Sequence, residues 1–317
     1  MIEQMTFEEI LNDYFEYRAA LKLKEKTTLN LKTFFNACRK NYPDDLYLTQ
    51  EMVDTWSEKR DTESPASYMS RIGPIVSFIR YAIAREWIDI IAPKIKRTPR
   101  KPYIPHFFTD EELYNFFKAC EDIGGNTLNY TVSRLRRLEV PVFFRLLYSS
   151  GLRSIEARLL RCENVNLVTG VINVIFTKGY HEHRVVLHDS MLELLIQYDK
   201  AISQIIPNRK IFFPTLNDMC HHKSWVPRQF NKAWSKYNKT SARTGDIRHF
   251  YAYMNINSWT NVGYDVHDKL LALSKSMGHT SMRHTIYYFS IVDTFGDLIE
   301  EYNGKFYNDI IPDLPTE

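Results

Sequence analysis

The stretch from Ala92 to Pro105 constrains this chain more than any other. It reads Ala92-Pro-Lys-Ile-Lys-Arg-Thr-Pro-Arg-Lys-Pro-Tyr-Ile-Pro105, with four prolines and five basic residues, Lys94, Lys96, Arg97, Arg100 and Lys101. Proline lacks the amide hydrogen and fixes φ, so neither a helix nor a central strand runs through such a segment. The chain must fold on either side of it, leaving the stretch as an extended linker. The expected organisation is a domain over 1–91, a linker over 92–107, a second domain over 108–291 and a tail over 292–317. At 317 residues the chain is long enough to give both domains a core. An extended cationic strand with no acid before Asp110 suits a phosphate backbone, which makes the five basic residues candidate DNA contacts.

The first domain reads as all helix. Thr6-Phe-Glu-Glu9 is a capping box ahead of Phe7, Ile10, Leu11, Tyr14 and Phe15 on one face. A second helix is expected from about Thr28 to Arg39, with Leu29, Leu31, Phe34 and Phe35 inward. Thr49 caps a short third one carrying Met52, Val53 and Trp56. Ser64-Pro65 opens a long helix through Ile72, Ile75, Val76, Ile79 and Ile83 to Trp87, with a kink expected at Gly73-Pro74.

The second domain opens on another capping box, Thr109-Asp-Glu-Glu112, before Leu113, Phe116 and Phe117. Pro141 starts or kinks the apolar helix that runs through Val140 to Tyr148. A short helix follows Arg153. Alternation from Val165 to Leu187 predicts strands at 165–167, 171–176 and 183–187, with turns at Thr169-Gly170 and Lys178-Gly179. Beyond Ser190 the pattern is helical again, apart from a short strand at Ile211-Phe-Phe213. The fold class is mainly α with a small antiparallel β-sheet (α+β).

Four stretches carry chemistry-bearing residues. They are Gly151-Leu-Arg-Ser-Ile-Glu156, Thr177-Lys178-Gly179, Asp246-Ile-Arg-His249 and Gly278-His279, the last followed after nine residues by Tyr288. Singly, each has an ordinary reading: a surface ion pair, a solvated lysine, a satisfied histidine, a packing tyrosine. Together, in this order and at these separations, they resemble the active-site boxes of the tyrosine recombinases, the phage-integrase family. The resemblance spans nearly the whole chain and implies a helical core-binding bundle joined to a catalytic domain. It implies DNA strand cleavage and rejoining through a 3′-phosphotyrosine, with no cofactor, metal or ATP. Tyr288 matches the nucleophile. Arg153 and Arg248 match the two arginines, whose planar guanidinium groups grip phosphate oxygens bidentately. Lys178 matches the lysine that protonates the leaving oxygen, and His279 the histidine that hydrogen-bonds the phosphate. Glu156 matches the acidic position that orients Arg153. The implied partners are double-stranded DNA recombination sites and further copies of the chain, a dimer on a site and a tetramer in the synapse, with accessory or partner recombinases. The implied role is integration, excision or transposition of a mobile element in the bacterial cytoplasm and nucleoid.

The chain departs from that pattern in two places. Where the second box usually has a histidine, three residues before the arginine, this sequence has Gly245; Arg243, Thr244 and His249 are the available substitutes. The connection between Arg248 and His279 is also long, with an extra loop expected from Asn255 to Asp268. Tyr287 adjoins Tyr288, but a helical step of about 100° lets only one of them face a phosphate. The first helix starts almost at once, so a simple two-domain type without an arm-binding domain is expected. Two other readings stay open on the sequence alone: a type IB topoisomerase, and a DNA-binding accessory subunit impaired by Gly245.

Charge and composition agree with a partner made of nucleic acid. The net charge is only +3, but residues 292–317 hold seven acids against Lys305. That tail therefore carries −6 and the rest of the chain +9, so the tail should face protein or solvent. Phe295, Leu298, Ile299 and Tyr302 give it an apolar stripe, which either packs on its own domain or, as the resemblance implies, docks on a neighbouring protomer. No window approaches the ~20 apolar residues of a membrane span. Cys38, Cys120, Cys162 and Cys220 are scattered, as in reduced thiols, and Cys220-His221-His222 lacks the distant second pair a metal site needs.

Overall fold

The computed structural model describes residues 5–23, 25–95, 103–123, 130–175, 182–259, 266–281 and 283–289. The chain divides into two compact units, Met1–Pro102 and Tyr103–Glu317.

Among the described residues the first unit holds helices α1 (Phe7–Ala20), α2 (Glu25–Asn41), α3 (Gln50–Ser57) and α4 (Pro65–Ile83). Thr6 and Glu9 cap α1 reciprocally, and Thr49 and Ser64 cap α3 and α4 through their hydroxyls. The core joins Phe7, Ile10 and Leu11 to Leu31 and Phe34 and to Ile72, Ile75, Phe78 and Ile79. Each such side chain contributes roughly 1.5–3 kcal/mol when taken fully out of water.

Two local expectations need correcting, at Leu29 and at the end of α4. Leu29 is 65% exposed: α2 turns Leu31 and Phe34 inward, and their helical face excludes it. Helix α4 ends at Ile83, short of Trp87, because Glu86 takes a left-handed backbone with φ of 61°. Pro74 lies within α4 as expected. The carbonyl it leaves without a helical donor, that of Ser70, accepts instead from Asn30 Nδ2 at 3.0 Å.

The second unit begins with α5 (Asp110–Glu121), α6 (Tyr130–Ser150) and the single turn α7 (Ser154–Arg158). Strands β1 (Val165–Asn166), β2 (Val171–Val174) and β3 (His183–Val186) form an antiparallel sheet in the order β1-β2-β3, with Val174 opposite His183. Then come α8 (Asp189–Ser203), α9 (Trp225–Tyr237), α10 (Thr244–Asn257), α11 (Val266–Ser276) and α12 (Arg283–Phe289). The fold is mainly α with one small antiparallel sheet.

Its core is aromatic. Phe116 of α5 meets Phe144 of α6 and Phe230 of α9 with ring centroids 5.2 and 5.1 Å apart, and Trp234 stacks on Phe230. This core fixes α6, whose last turn delivers the chain to Gly151. A smaller cluster of Ala252, Ile256, Leu273, Met277 and Tyr288 holds α10, α11 and α12 together.

Here too the structure departs from the sequence reading. Pro141 lies inside α6. The expected strand at 211–213 is reduced to an isolated bridge between Ile211 and Arg161. The two ends of the expected extra loop are helix, since α10 reaches Asn257 and α11 starts at Val266. His221 is engaged elsewhere, its Nε2 3.0 Å from buried Glu139, whose carboxyl burial pushes up to about 7. Lys178, Lys96, Arg97, Arg100, Lys101 and the tail 292–317 lie outside the described residues. Among those described, no helix is long and apolar enough to cross a membrane.

Candidate active site

The site is assembled where two helices begin on an arginine. Arg153 is the N-cap of α7, and the carboxylate three residues on, Glu156, accepts from its backbone N–H at 2.8 Å and from its Nη1 at 2.6 Å. Arg243 is the N-cap of α10, and Asp246 accepts from its N–H at 2.7 Å. In both cases an acid at the third helical position satisfies an amide left over at the helix start and meets the positive end of the helix dipole. The arginine disfavoured at such a helix start thus has its partner one turn away.

Glu156 is the hub. Its side chain is fully buried, and its oxygens lie 2.6 Å from Arg153 Nη1, 3.9 Å from His183 Nε2 and 4.0 Å from Arg248 Nη1. A buried carboxylate is tolerated only when so paired.

The two guanidinium groups are tied to one another's surroundings through backbone carbonyls. Arg248 donates to Gly151 O at 2.6 Å and to Met277 O at 2.5 Å, while Arg153 Nη2 donates to Gly278 O at 3.0 Å. Burial, and then the neighbouring Arg153 charge, push the Arg248 pKa down to about 10. It still carries its proton at neutral pH. A guanidinium has five donors, and the Arg153 side chain keeps 29% of its surface in contact with solvent. An anion could therefore be met from the open side.

Both glycines in this arrangement need to be glycine. Gly151 and Gly278 have φ of 64° and 60°, a left-handed backbone that side chains disfavour. A Cβ on Gly151 would lie 2.3 Å from the Tyr251 ring, and one on Gly278 would lie 2.5 Å from His183 Nδ1. Gly245 differs, with nothing within 4 Å of an added Cβ. Gly151→Ala is therefore expected to cost about 2 kcal/mol of unfolding free energy. Gly245→Ala, in the first turn of α10, should be neutral or stabilising by about 0.5 kcal/mol. Urea unfolding midpoints of the two variants check the contrast, and equal stabilities would contradict it.

After the Gly278 turn the chain presents His279 and Tyr288. His279 Nδ1 is 2.8 Å from the hydroxyl of fully buried Thr285, and its ring is stacked at 15° to that of Tyr288, centroids 6.2 Å apart. Burial first, then Arg248 and Arg153, push the His279 pKa down to about 3, so the imidazole is neutral. Tyr288 is 5% exposed. Burial raises its pKa, against the opposing pull of the Arg248 charge. Tyr287 is 39% exposed and turns its hydroxyl to the carbonyl of Tyr103 at 2.9 Å. The two tyrosines thus point to different surroundings, and Tyr288 is the one beside the arginines.

The arrangement joins two cations, a neutral imidazole and a buried phenol, the groups needed to hold a phosphodiester and attack it. The family model described as "Phage integrase family" matches residues 106–293, more than half the chain and the whole span of this site. The chain belongs to the phage integrase family. It is a site-specific recombinase of the tyrosine type, a DNA strand breaking and rejoining enzyme. A relative named "Tyrosine recombinase" from Agathobacter rectalis is 25% identical over 295 residues, covering 88% of this chain and 90% of its own. Two solved structures share the fold. The lambda integrase tetramer bound to a Holliday junction matches with a TM-score of 0.59 and 15% identity, over 90% of this chain and 78% of its own. The Tn1549 transposon integrase in complex with transposon right end DNA matches with 0.58 and 14%, over 90% and 94%.

In this phage integrase-family chain, Arg153, Glu156, Arg248, His279 and Tyr288 lie close together, while Lys178 falls outside the described residues. Lys94 is described and exposed. His249 packs its ring 5.5 Å from that of Tyr288, and burial lowers its pKa. Among the described residues its buried Nδ1 has no hydrogen-bond partner. Sequence reasoning missed His183, Tyr251 and Tyr103. His183 and Tyr251 matter by filling the space a glycine leaves, which no spacing along the chain announces. The pairing of Val174 with His183 is what carries His183 to Gly278.

Proposed function

We propose that this recombinase cuts DNA through a covalent 3′-phosphotyrosine on Tyr288, in the service of integration, excision or transposition of a mobile element. The observation that carries this is the buried Tyr288, its ring stacked with that of His279 and its phenol under the pull of the Arg248 and Arg153 charges. In the step we assign, Tyr288 Oη gives up its proton to water and bonds to phosphorus, and the bond from phosphorus to the 5′ oxygen breaks. Arg153 and Arg248 hold the non-bridging oxygens, whose charge grows in the transition state. Neutral His279, with Nδ1 on Thr285, is left Nε2 to present to the phosphate. Lys178 gives the 5′ oxygen its proton, and the phosphotyrosine conserves the bond energy for rejoining.

Residues 1–91 serve as the core-binding DNA domain, and the basic residues from Lys94 to Lys101 follow the phosphates; the expected linker ends at Pro102, because Tyr103 already packs on the second unit. Partner molecules are double-stranded recombination sites and further copies of the chain, as in the lambda integrase tetramer on its junction. A nicked suicide duplex, which loses its short 5′-hydroxyl fragment after cleavage, traps the adduct. Peptide mapping should place it on Tyr288, and rejoining between two marked duplexes separates strand exchange from mere relaxation. Binding without any adduct would mean an inactive DNA-binding subunit.

The raised pKa of Tyr288 makes proton removal a burden, and Gly245 supplies no base. Residue 245 lies one turn before Arg248 and His249 on α10, the spacing that shares a helix face, and the space beside it is open. Gly245→His is therefore expected to speed cleavage by at least about tenfold near neutral pH, where imidazole accepts protons. The pH–rate profile should gain a limb with an apparent pKa near that of histidine. No change in rate or profile would remove proton transfer from the slow step.

A further inference from the structure

Tyr103 is the first described residue of the second unit, and it touches both helices that carry the reacting groups. Its hydroxyl donates to Asp246 Oδ1 at 2.6 Å. Asp246 is fully buried, and its other oxygen accepts from the Arg243 N–H that opens α10. The Tyr103 carbonyl accepts from Tyr287 Oη at 2.9 Å, one residue before the proposed nucleophile. The Arg243 guanidinium lies over the Tyr103 ring at 4.8 Å, with the His249 ring 6.2 Å away. The two hydrogen bonds join residues 143 and 184 positions apart, so they tie down tertiary structure and not a local turn.

Helix α12 needs such a tie. It has seven residues, too few for helical propensity to hold it. Its placement comes from Tyr288 in the small apolar cluster, from Thr285 on His279, and from Tyr287 on Tyr103. The first two hold one side of the helix. Tyr287 extends from another, and its bond resists rotation of α12 about its axis. A nucleophile must come within about 3–3.5 Å of its target, and a misplacement of about 1 Å costs on the order of 100-fold in rate.

We propose that Tyr103 is a positioning residue. It clamps α12 to the start of α10, through its carbonyl on one side and its hydroxyl on the other, and so keeps Tyr288 facing Arg248. The two bonds are links in series: α10 to Tyr103, then Tyr103 to α12. Breaking either one opens the clamp. The idea rests on Tyr288 being the nucleophile.

Full-length Tyr103→Phe, Tyr287→Phe and the double variant would be compared with the native chain on the nicked suicide duplex. Tyr103→Phe keeps the ring over Arg243 and the carbonyl for Tyr287, and loses only the bond to Asp246. Single-turnover cleavage at saturating DNA is expected to slow by about tenfold in each single variant, with the Kd from gel shifts and the thermal midpoint nearly unchanged. The double variant should be about as slow as either single one, because serial links are not additive. Native cleavage rates in Tyr103→Phe, a loss confined to Kd, or a multiplied loss of about 100-fold in the double variant would each overturn the clamp. Mapping the adduct of the native chain separates the two ideas. An adduct away from Tyr288 refutes the nucleophile assignment and the clamp with it, whereas an adduct on Tyr288 with unaltered variant rates refutes the clamp alone.

Discussion

Tyr288→Phe is expected to bind recombination-site DNA with native affinity and form no covalent complex at all. The phenol oxygen is the atom that becomes bonded to phosphorus in the proposed step, so its loss is not a matter of degree. Folding should survive. The ring keeps its place among Ala252, Ile256, Leu273 and Met277, so the apolar packing that holds α12 is retained. Tyr287→Phe serves as the comparison, since its hydroxyl is turned to Tyr103. It should still form the adduct on Tyr288, more slowly. Denaturing gels of each variant on a 3′-labelled suicide duplex give the answer. An adduct in Tyr288→Phe that vanishes in Tyr287→Phe would reverse the assignment.

The second large effect is expected at the arginines. Arg248→Ala and Arg153→Ala should each slow cleavage by about 10²–10³-fold, the scale of removing one preorganised donor to developing charge. DNA binding should fall far less. The two variants should differ in stability. Without Arg248, the carbonyls of Gly151 and Met277 lose a donor in a buried setting, each at about 1–3 kcal/mol. Without Arg153, Glu156 keeps its backbone bond and the more distant Arg248 and His183. Arg248→Ala is thus the less stable of the pair, and urea unfolding reads the difference. Arg248→Lys tests the chemistry apart from the charge. An ammonium cannot span two carbonyls and present a flat fork to phosphate, so cleavage should stay at least about tenfold down. Native cleavage rates in Arg248→Lys would mean that charge alone suffices there.

Much of this molecule was legible before any coordinates. The prolines of the linker pointed to a two-part organisation, because four of them within fourteen residues remove too many amide hydrogens for one helix or strand to run through. Capping boxes at Thr6 and Thr109 marked helix starts to the residue, since both partners are close in sequence and the bonds are local. The order of the boxes carried the family, and with it Arg153, Glu156, Arg248, His279 and Tyr288. The tertiary structure decided what depends on contacts between distant segments. Leu29 matches the apolar pattern of α2 yet faces water, because the packing of Leu31 and Phe34 chose the buried face. Pro74 stays in a helix because Asn30, 40 residues away along the chain, supplies the donor its neighbour lacks. At Gly151 and Gly278 only the approach of Tyr251 and His183 makes an added side chain a clash. Tyr103 carried no signal at all in the sequence. A tyrosine beside a proline-rich stretch is unremarked until folding sets its hydroxyl on Asp246 and its carbonyl before Tyr287, and hydrogen bonds between such remote partners leave no period in the sequence to read.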